Sequence, residues 1–224
     1  PETPILRFAG HVFEPLPSGA LYWQAQQALL VADLHLDKMG SFARRGQMLP
    51  PYDTGLTLSR LEGDLRRTGA VRLVALGDSF HRADASAHLS AVDRARLDAI
   101  AETIECIWLS GNHDPLPNGL VGSALPEIAL QGLTLTHEPR RGAVGLIAGH
   151  LHPAAHIRID GRSTRRPCFV HDNRLLILPA YGASTGSINI LSPAFAGLLH
   201  WPALEVTMLG KDRTYPVSAK RLVR

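Results

Sequence analysis

Short apolar runs that end in polar residues recur along the first two thirds of the chain. Five such runs are rich in leucine, isoleucine, valine and alanine and have the length of buried strands. They occupy residues 29–32, 71–76, 106–109, 133–136 and 145–148. Polar residues follow each run directly, and open α/β sheets build their sites at the C-terminal ends of strands. The pattern therefore predicts an α/β enzyme with its site at these strand ends.

Two helical patterns lie between the early strands. The first begins with a cap at Asp53 and continues to about Thr68. Its apolar face is expected to consist of Leu58, Leu61 and Leu65. The second begins at Ser90, which forms with Asp93 a pattern that resembles a capping box. Its apolar face is expected to consist of Val92, Ala95, Ala99 and Ile104.

After residue 152 the pattern becomes β-rich, with strands predicted at 169–170, 175–178, 188–191 and 204–208. The sequence contains no internal repeat and no linker, so residues 1–224 are predicted to form a single domain. The last stretch, 211–224, has five basic residues and one acid. It is expected to be a frayed, solvated tail, and a contact with nucleic acid is the alternative.

The composition indicates a folded, soluble protein. Hydrophobic residues make up 45% of the sequence and charged residues 19%, which is too apolar for a disordered chain. No apolar run approaches the ~18 residues of a membrane-spanning helix, and the N-terminal residues do not form a signal-peptide pattern. A cytoplasmic location is therefore expected. Cys106 and Cys168 lie far apart within apolar runs and are expected to be buried, reduced thiols.

The net charge is weakly basic. Lysine and arginine total 23 against 20 acidic residues, and the pI is about 9.2. All but three of these basic residues are arginine, whose planar guanidinium suits forked contacts with phosphate. This balance favours a polyanionic partner. A codon bias toward arginine would give the same composition, so charge alone does not identify the partner.

The polar residues at the strand ends form a set of potential metal ligands. The set comprises Asp33, His35, Asp78, Asn112, His137, His150 and His152. It offers oxygen and imidazole nitrogen but no sulfur, which suits Mn²⁺, Fe²⁺ or Zn²⁺. Because seven donors exceed the needs of one ion, a two-metal site that shares one carboxylate is the economical arrangement.

The spacing within the motifs predicts how these side chains are directed. Alternation along an extended chain should turn both members of the Asp33/His35 and His150/His152 pairs to the same side. Each glycine in the motifs is expected to let the backbone turn sharply. Taken alone each element is a weak signal, since a lone histidine such as His137 is more often structural. Five elements in one order, each at a strand end, are a much stronger signal.

The order of these motifs resembles the signature of the calcineurin-like metallophosphoesterases. The motifs are Asp33-Leu34-His35, Gly77-Asp78, Gly111-Asn112-His113-Asp114, His137 and Gly149-His150-Leu151-His152. The resemblance spans residues 29 to 152 and implies a four-layer α/β/β/α sandwich of two facing sheets. It implies that one metal ion is held by Asp33, His35, Asp78 and His152. The second ion would be held by Asp78, Asn112, His137 and His150, so that Asp78 is the bridge.

The same resemblance implies catalytic roles. His113 resembles the catalytic histidine of the family, and Asp114 is expected to orient it by a hydrogen bond. Two cations would lower the pKa of water enough to provide a nucleophile at neutral pH, and they would neutralise phosphate oxygens. His113 could then donate a hydrogen bond to the phosphoryl oxygen or a proton to the leaving alkoxide.

The second motif continues as Gly77-Asp78-Ser79-Phe80-His81, which is similar to the nuclease subunit of double-strand-break repair complexes. That subunit is usually longer. A compact chain with Phe42-Ala43-Arg44-Arg45-Gly46 and Leu178-Pro179-Ala180-Tyr181-Gly182 is more similar to the bacterial ligase-associated DNA damage response endonucleases. This resemblance implies Mn²⁺ as cofactor, DNA as substrate, and a functional association with a DNA ligase, an exonuclease and a helicase. It also makes His81 a catalytic candidate whose importance depends on the substrate.

Two arginine pairs follow metal motifs closely. Arg44 with Arg45, and Arg140 with Arg141, could grip the phosphates that flank the scissile one. Arginine pairs in loops are also commonly solvated without a specific partner. His171 and Asp172 lie between two predicted strands and are expected to be turn residues, not ligands.

Three functions are open from the sequence. The first is a DNA endonuclease that prefers single strands, because a flexible strand can place a phosphodiester on two fixed metals without loss of base pairing. The second is a metallophosphoesterase for a small phosphoester or a cyclic nucleotide, in which the basic residues have no role. The third is a non-catalytic binding scaffold on the same fold. A scaffold predicts eroded ligands, whereas all seven are present here.

Overall fold

A computed structural model describes residues 4–46, 52–82, 85–115, 119–159 and 161–224, without the side chains of Arg44 and Ala85. Within these ranges the chain forms two β-sheets, three α-helices and several short 3₁₀ turns. The helices are α1 (Lys38–Arg44), α2 (Asp53–Thr68) and α3 (Ala91–Thr103). None of the described helices combines the length and the apolar character that a membrane-spanning segment needs.

The first sheet has seven strands, which are neighbours in chain order. They are β1 (Leu6–Phe8), β2 (His11–Pro15), β3 (Leu21–Trp23), β4 (Ala28–Val31), β5 (Arg72–Ala75), β6 (Glu105–Leu109) and β7 (Ser123–Leu125). Strands β1 to β4 pair antiparallel, whereas β4 to β7 are parallel. The parallel part brings the C-terminal ends of β4, β5 and β6 to one edge.

The second sheet has nine strands. They are β8 (Glu127–Leu130), β9 (Leu133–Thr136), β10 (Leu146–Ala148), β11 (Pro153–Ile159), β12 (Arg162–His171), β13 (Leu175–Ile177), β14 (Ile188–Asn189), β15 (Glu205–Leu209) and β16 (Thr214–Ser218). The order is β14-β11-β12-β13-β10-β9-β8, and β15 and β16 continue from β12. Because β9, β10 and β13 are parallel, this sheet also presents the C-terminal ends of neighbouring strands together.

Three apolar layers hold the sheets and helices together. Side chains alternate between the two faces of a strand, so Leu30 of β4 lies in the core between the sheets with Ile147 of β10. Leu29 and Val31 face the other way and pack with Leu58 of α2. The same alternation in both sheets buries large apolar areas on each face, which is the main stabilising contribution to the fold.

The outer face of the second sheet is covered without helices. Its apolar residues pack with Phe195, Leu199 and Leu204, from short turns between β14 and β15. No α-helix of the described residues contributes to this cluster. The predicted single-domain four-layer sandwich is confirmed, because both sheets share one core. Its fourth layer, however, consists of 3₁₀ turns and C-terminal residues.

Helix α2 forms as predicted, with a small shift at its start. Tyr52 is the N-cap and Asp53 the first helical residue. Leu58 and Leu61 are fully buried, and Leu65 packs against the same cluster.

Helix α3 has the predicted cap but a different buried face. Ser90 Oγ accepts a hydrogen bond from the backbone N–H of Asp93, which confirms the cap. The predicted apolar face is wrong in three positions, because Val92 is 70% exposed and Ala95 and Ala99 are also exposed. Leu97 and Ile100 are the buried residues. Burying these two large side chains removes more apolar area from water than burying two alanines would.

The basic C-terminal stretch is structured, so the expected frayed tail is wrong. Residues Thr214–Ser218 form β16 and pair with β15. Beyond them, the backbone N–H of Val223 donates to the carbonyl of His156 in β11, and Leu222 forms a bridge with Ile157. Backbone pairing with two strands satisfies donors and acceptors that would otherwise be solvated, and this ties the chain end to the second sheet.

Both cysteines are buried free thiols, as predicted. Burial raises the pKa of Cys106 to about 11, because a thiolate would be poorly solvated there. It also raises the pKa of Cys168. Neither thiol is therefore activated as a nucleophile at neutral pH.

A buried hydrogen bond ties helix α2 to the segment that follows β13. The hydroxyl of Tyr181 donates to Asp64 Oδ2 at 2.8 Å, and both side chains are buried. The backbone N–H of Tyr181 donates to the carbonyl of Ala32, just after β4. Burial, together with the charge of Asp64, raises the pKa of Tyr181, so the hydroxyl keeps its proton.

We expect Tyr181→Phe to lower the free energy of unfolding by about 1–3 kcal/mol, because it leaves a buried carboxylate oxygen without its donor. Tyr52→Phe is the matched control, since the Tyr52 side chain is 72% exposed. Urea unfolding of both variants measures the effect as a shift in midpoint at constant slope. Equal midpoints for the two variants would show that the Tyr181 hydrogen bond contributes nothing net.

Candidate metal centre

Two loops at the edge of the first sheet run side by side. The backbone N–H of Asp33 donates to the carbonyl of Gly77 at 3.2 Å, and that of His35 donates to the carbonyl of Asp78 at 2.9 Å. These bonds continue the pairing of β4 with β5 beyond the ends of the strands. They place the side chains of Asp33, His35 and Asp78 next to one another.

The second sheet contributes the facing loops. The backbone N–H of Gly149 donates to the carbonyl of His137 at 3.0 Å, which joins the ends of β9 and β10. The backbone N–H of His150 donates to Asp33 Oδ2 at 3.0 Å and so connects the two sheets. The strand ends predicted from the five apolar runs therefore meet at one place.

The ligand candidates in these loops adopt a left-handed backbone. The φ angles are +56° for Asp33, +45° for His35, +48° for Asp78, +71° for His150 and +45° for His152. The expectation that Asp33/His35 and His150/His152 converge by alternation along an extended chain is therefore wrong. They converge through tight turns with a left-handed backbone. This conformation is uncommon for residues other than glycine, and such residues cluster at functional sites.

Glycine is required at Gly77 and at Gly111, for different reasons. Gly77 has a φ of +76°, and a methyl group there would lie 2.5 Å from the His137 ring. Gly111 has an ordinary φ, but a methyl group there would lie 2.1 Å from Asp78 Oδ1 and 2.6 Å from Asp114 Oδ1. The expected sharp turn is present at Gly77, whereas Gly111 is needed for space.

One group of potential ligands consists of Asp33, His35 and His152, whose donor atoms lie within 4.8 Å of one another. His152 Nε2 lies 3.2 Å from Asp33 Oδ1. The rings of His35 and His152 meet edge to face with centroids 5.4 Å apart. The three side chains thus converge on one small volume.

A second group consists of Asp33, Asp78 and His137, whose donor atoms also lie within 4.8 Å of one another. Asn112 Oδ1 lies 2.8 Å from His137 Nε2 and 2.9 Å from His150 Nδ1. All seven candidate ligands are therefore brought together. Asp78 Oδ2 lies 3.5 Å from His137 Nε2 and 3.9 Å from His35 Nε2, between the two groups. Asp33 belongs to both groups, and the bridging role of Asp78 stays a prediction.

Unsatisfied buried atoms test whether these residues fit a cation. Buried polar atoms are normally hydrogen-bonded. Asp33 Oδ1 and His35 Nδ1 are buried and have no hydrogen-bond partner among the described residues. The donors are carboxylate, amide and imidazole groups, which suit divalent first-row metal ions. The residues present therefore fit a divalent metal centre.

The carboxylates make this volume strongly negative. Burial alone would raise the pKa of Asp78, but the hydrogen bond with His137 and the backbone N–H of His113 lower it to about 2. Burial alone would lower the pKa of His137, but Asp78 and Asp33 raise it to about 9. The site thus attracts positive charge at the position between Asp78 and His137.

Ring orientation also prepares the histidines as ligands. His137 Nδ1 lies 2.9 Å from the carbonyl of Leu76, and because a carbonyl only accepts, Nδ1 carries a proton. Its Nε2 is therefore the atom directed at Asp78. Burial lowers the pKa of His35 to about 4, although Asp33 and Asp78 oppose this. A neutral imidazole is the form that binds a metal.

The two histidines predicted as catalytic lie beside the ligand cluster. The His113 side chain is 44% exposed, and its Nε2 is 3.9 Å from Asp78 Oδ2. His81 stacks on His113 with ring centroids 5.4 Å apart, and it also contacts the rings of Phe42 at 5.4 Å and His35 at 5.8 Å. His113 is thus accessible to a substrate at the cluster, and His81 is placed to act with it.

Asp114 does not orient His113 by the expected hydrogen bond, and that prediction is wrong. The Asp114 carboxylate is buried and its Oδ2 accepts the backbone N–H of Phe80 at 2.9 Å. Burial raises the pKa of Asp114 to about 7, and the amides of Phe80 and Ser79 oppose the rise. Asp114 therefore fixes the loop that carries Asp78, because a buried carboxylate takes the nearest backbone donors.

The arginine pairs are not drawn into the ligand cluster. Arg140 is paired with Glu127 of β8 at 2.5 Å, and Arg45 and Arg141 are exposed. The side chain of Arg44 is outside the described part of the chain. Asp172 accepts the backbone N–H groups of Arg174 and Leu175, which confirms it as a turn residue.

Three residues near the site were not singled out from the sequence as contributors to it. Lys38, at the start of α1, is close enough to lower the pKa values of His35 and His81, after the larger effect of burial. Phe42 contacts His81. Asp53 Oδ2 accepts hydrogen bonds from the backbone N–H of Met39 and from Ser184 Oγ. These bonds tie α1, α2 and the segment around Ser184 together. Without an apolar period, α1 gave no signal of its own.

The overall structure can be compared with solved protein structures. The nuclease MPE of Pseudomonas putida has a TM-score of 0.74 and 28% sequence identity, covering 96% of this chain and all of the other. The phosphoesterase YfcE of E. coli has a TM-score of 0.39 and 15% identity, covering 88% and 96%. A protein of unknown function from Aquifex aeolicus, AQ665, has a TM-score of 0.39 and 17% identity, covering 56% and 78%. No family model and no curated protein matches the sequence.

The match to the Pseudomonas nuclease extends over nearly the whole of both chains. The motif residues of the metallophosphoesterase signature also meet at one site. The resemblance to the calcineurin-like metallophosphoesterases, and among them to a bacterial nuclease, is therefore confirmed.

Gly111→Ala should weaken the metal centre, because the added methyl group would displace the carboxylates of Asp78 and Asp114. We expect fewer than two ions per chain at metal concentrations that saturate the wild type. Gly186→Ala is the matched control, since a methyl group there meets nothing within 4 Å. Metal content after gel filtration measures the effect. Wild-type occupancy in Gly111→Ala would contradict the proposed position of Asp78 at the ions.

Proposed function

We propose that this protein is a two-metal phosphodiesterase that cuts DNA internally, prefers single strands and acts in DNA repair. The convergence of seven oxygen and nitrogen ligands from five loops carries the proposal. The similarity to a nuclease over 96% of the chain supports phosphodiester bonds of nucleic acid as the substrate class. Mn²⁺ is the proposed ion, because the family resemblance implies it and the carboxylate and amide oxygens of the site suit it.

The ligand residues would hold two ions in the two sets that the family resemblance implies. Asp33, His35, Asp78 and His152 would hold one, and the second would be held by Asp78, Asn112, His137 and His150. When bound, two such ions lower the pKa of water to near neutrality and offset the charge of phosphate oxygens.

The surrounding residues would then act on the phosphodiester directly. His113 is exposed beside Asp78, and it would donate a hydrogen bond to a phosphoryl oxygen or a proton to the leaving alkoxide. His81 lies behind it in a stacked arrangement and would hold its ring in place or contact the substrate. Asp114 would act at a distance, by fixing the loop of Asp78.

Single-strand preference follows from the cost of presenting a phosphodiester to fixed ions. The sugars on either side must swing aside, which costs little in a flexible strand and disrupts pairing in a duplex. A role in repair, with a ligase, an exonuclease and a helicase as functional associates, is proposed from the family resemblance.

The first test compares substrates and ions directly. Plasmid DNA, single-stranded circular DNA, a small phosphodiester and a phosphomonoester are each incubated with Mn²⁺, Mg²⁺, Zn²⁺ and Fe²⁺. We expect Mn²⁺ to support cutting of the single-stranded circle faster than of the duplex, and a chelator to stop it. Hydrolysis of small esters with no cutting of DNA under any ion would instead favour a small phosphoester or cyclic nucleotide as substrate.

His113→Ala should slow hydrolysis by about 10²–10⁴-fold while leaving two ions bound, because the side chain is proposed to act on the phosphate. Asp78→Asn should remove activity and lower metal occupancy at both positions. His81→Ala should resemble His113→Ala, with a loss that differs between DNA and a small diester. Kinetics combined with metal analysis separates the variants, and an emptied metal position in His113→Ala would reassign that residue as a ligand.

A further inference from the structure

A second concave surface lies outside the metal centre, between strands of the second sheet and helix α2. It is formed by two adjoining cavities of about 670 and 530 Å³. Both are lined by Arg166, Leu209, Gly210 and Lys211, so they form one continuous groove. We call this surface the basic groove.

The groove is rich in positive charge. Arg166 and Lys211 lie at its centre, Arg221 at one end and Arg60 at the other. The only carboxylate in its lining, within the described chain, is Asp64, which accepts the buried hydrogen bond from Tyr181. Arg60 donates to the carbonyl of Tyr181 at 2.7 Å. Arg166, Lys211 and Arg221 have no carboxylate partner among the residues described, and all three are exposed.

The groove also exposes apolar surface beside these charges. Ile159 and Tyr215 are 45% and 44% exposed. The Tyr215 ring is held by the Arg213 guanidinium, 4.8 Å from its centroid, and by the backbone at Gly210, where a methyl group would lie 2.3 Å from the ring. Cations that track a backbone, together with fixed rings and apolar faces for bases, are the features of surfaces that bind single-stranded nucleic acid.

The position of the groove suits a strand that also reaches the metal centre. The end that contains Arg60 is lined by Gly182 and Ala183. The backbone N–H of Gly182 donates to the carbonyl of Asp33 at 3.1 Å. This end of the groove therefore adjoins the loop that carries a predicted metal ligand.

The long hairpin of β11 and β12 forms one wall of the groove. Cys168 to His171 of β12 are buried, whereas Arg162 to Arg166 are exposed. The exposed half projects beyond the core and is not needed to bury apolar surface there. Arg166 of this half is therefore available to a partner, whereas Arg165 donates to the carbonyl of Ser187.

We propose that the basic groove binds the part of a single DNA strand that flanks the scissile phosphodiester. The proposal rests on DNA being the substrate, and it adds a binding surface distinct from the metal ligands. Arg166, Lys211 and Arg221 would contact phosphates without reading bases, so binding would depend weakly on sequence.

The test removes the three groove charges in one variant, Arg166→Gln with Lys211→Gln and Arg221→Gln. A matched control removes three exposed arginines that do not line the groove, by Arg7→Gln with Arg66→Gln and Arg174→Gln. Both are made also in an Asp78→Asn background, so that binding is measured without cutting. The probe is a fluorescent single strand of about 20 nucleotides, longer than the site sizes of known single-strand binding folds. Thermal unfolding checks that each variant is folded.

We expect the groove variant to bind the strand about tenfold more weakly than the wild type. The slope of log K against log salt concentration should be smaller in magnitude by roughly 2 than in the wild type. The control variant should lose much less affinity for the strand. With Asp78 intact, the groove variant should hydrolyse a small phosphodiester at the wild-type rate but cut long single strands with a higher KM. Equal affinity and equal salt slopes for the groove and control variants would overturn the proposal.

Failure of the groove and failure of the proposed function give different results. If the wild type cuts single strands and the groove variant cuts them equally well, the groove has no role and the nuclease function stands. If the wild type binds the strand through the groove but never cuts it, the nuclease function fails, and the groove binds nucleic acid without flanking a scissile bond. An acidic peptide or a duplex that binds the groove more tightly than the single strand would overturn the choice of occupant.

Discussion

Two carboxylates, Asp33 and Asp78, are buried where the two sheets meet, and the surrounding loops are arranged to tolerate them. Burying negative charge is costly because the charge loses its water. Backbone amides offset part of this cost, since His150 donates to Asp33 and His113 donates to Asp78. The bond between Asp33 and His150 also spans the sheets. The contacts that stabilise the charges therefore fix the relative position of both halves of the site.

The ligand loops show a second consequence of this arrangement. Five candidate ligands have left-handed backbones, each at a cost of about 1–3 kcal/mol when the surroundings do not favour it. Glycine would avoid the cost but would supply no ligand. Hydrogen bonds between the loops stabilise this strained backbone, such as the bond from the His35 N–H to the carbonyl of Asp78. The core beneath the strands also stabilises it. Where space alone is limiting, as at Gly111, the chain uses glycine instead.

The sequence was most informative where apolar runs are long enough to define a strand. The strands that end at the site, β4, β5, β6, β9 and β10, were predicted with small shifts in their ends. Strands β1 to β3 were not, because polar residues interrupt the apolar pattern of β1 and β2, and β3 consists only of Leu21, Tyr22 and Trp23. Helix α1 depends on distant contacts such as Met39 with Asp53, which no local pattern shows.

The side-chain directions at the site were harder to predict than its residues. Spacing of the type Asp-x-His suggests that the two side chains point to the same side. It does not distinguish an extended segment from a turn with a left-handed backbone. Adjacency of His113 and Asp114 suggested a hydrogen bond between them, yet Asp114 turns inward to the amide of Phe80. Its direction depends on burial, which follows from the tertiary fold. The identity of the ligands thus follows from chemistry, and their geometry from packing.

Among the residues that the structure describes, no α-helix covers the second sheet, and this connects the fold to the proposed substrate binding. Short turns cover Phe195 and its neighbours but leave the projecting half of β12 and the C-terminal strand β16 exposed. A helix packed there would have to bury Arg166 and Lys211, which is unfavourable without paired acids. The open face therefore allows these cations to stay solvated, as the proposed binding of an anionic strand requires. In this arrangement the metal centre would select the bond and the groove would hold the strand, so that hydrolysis and substrate length are set by different residues.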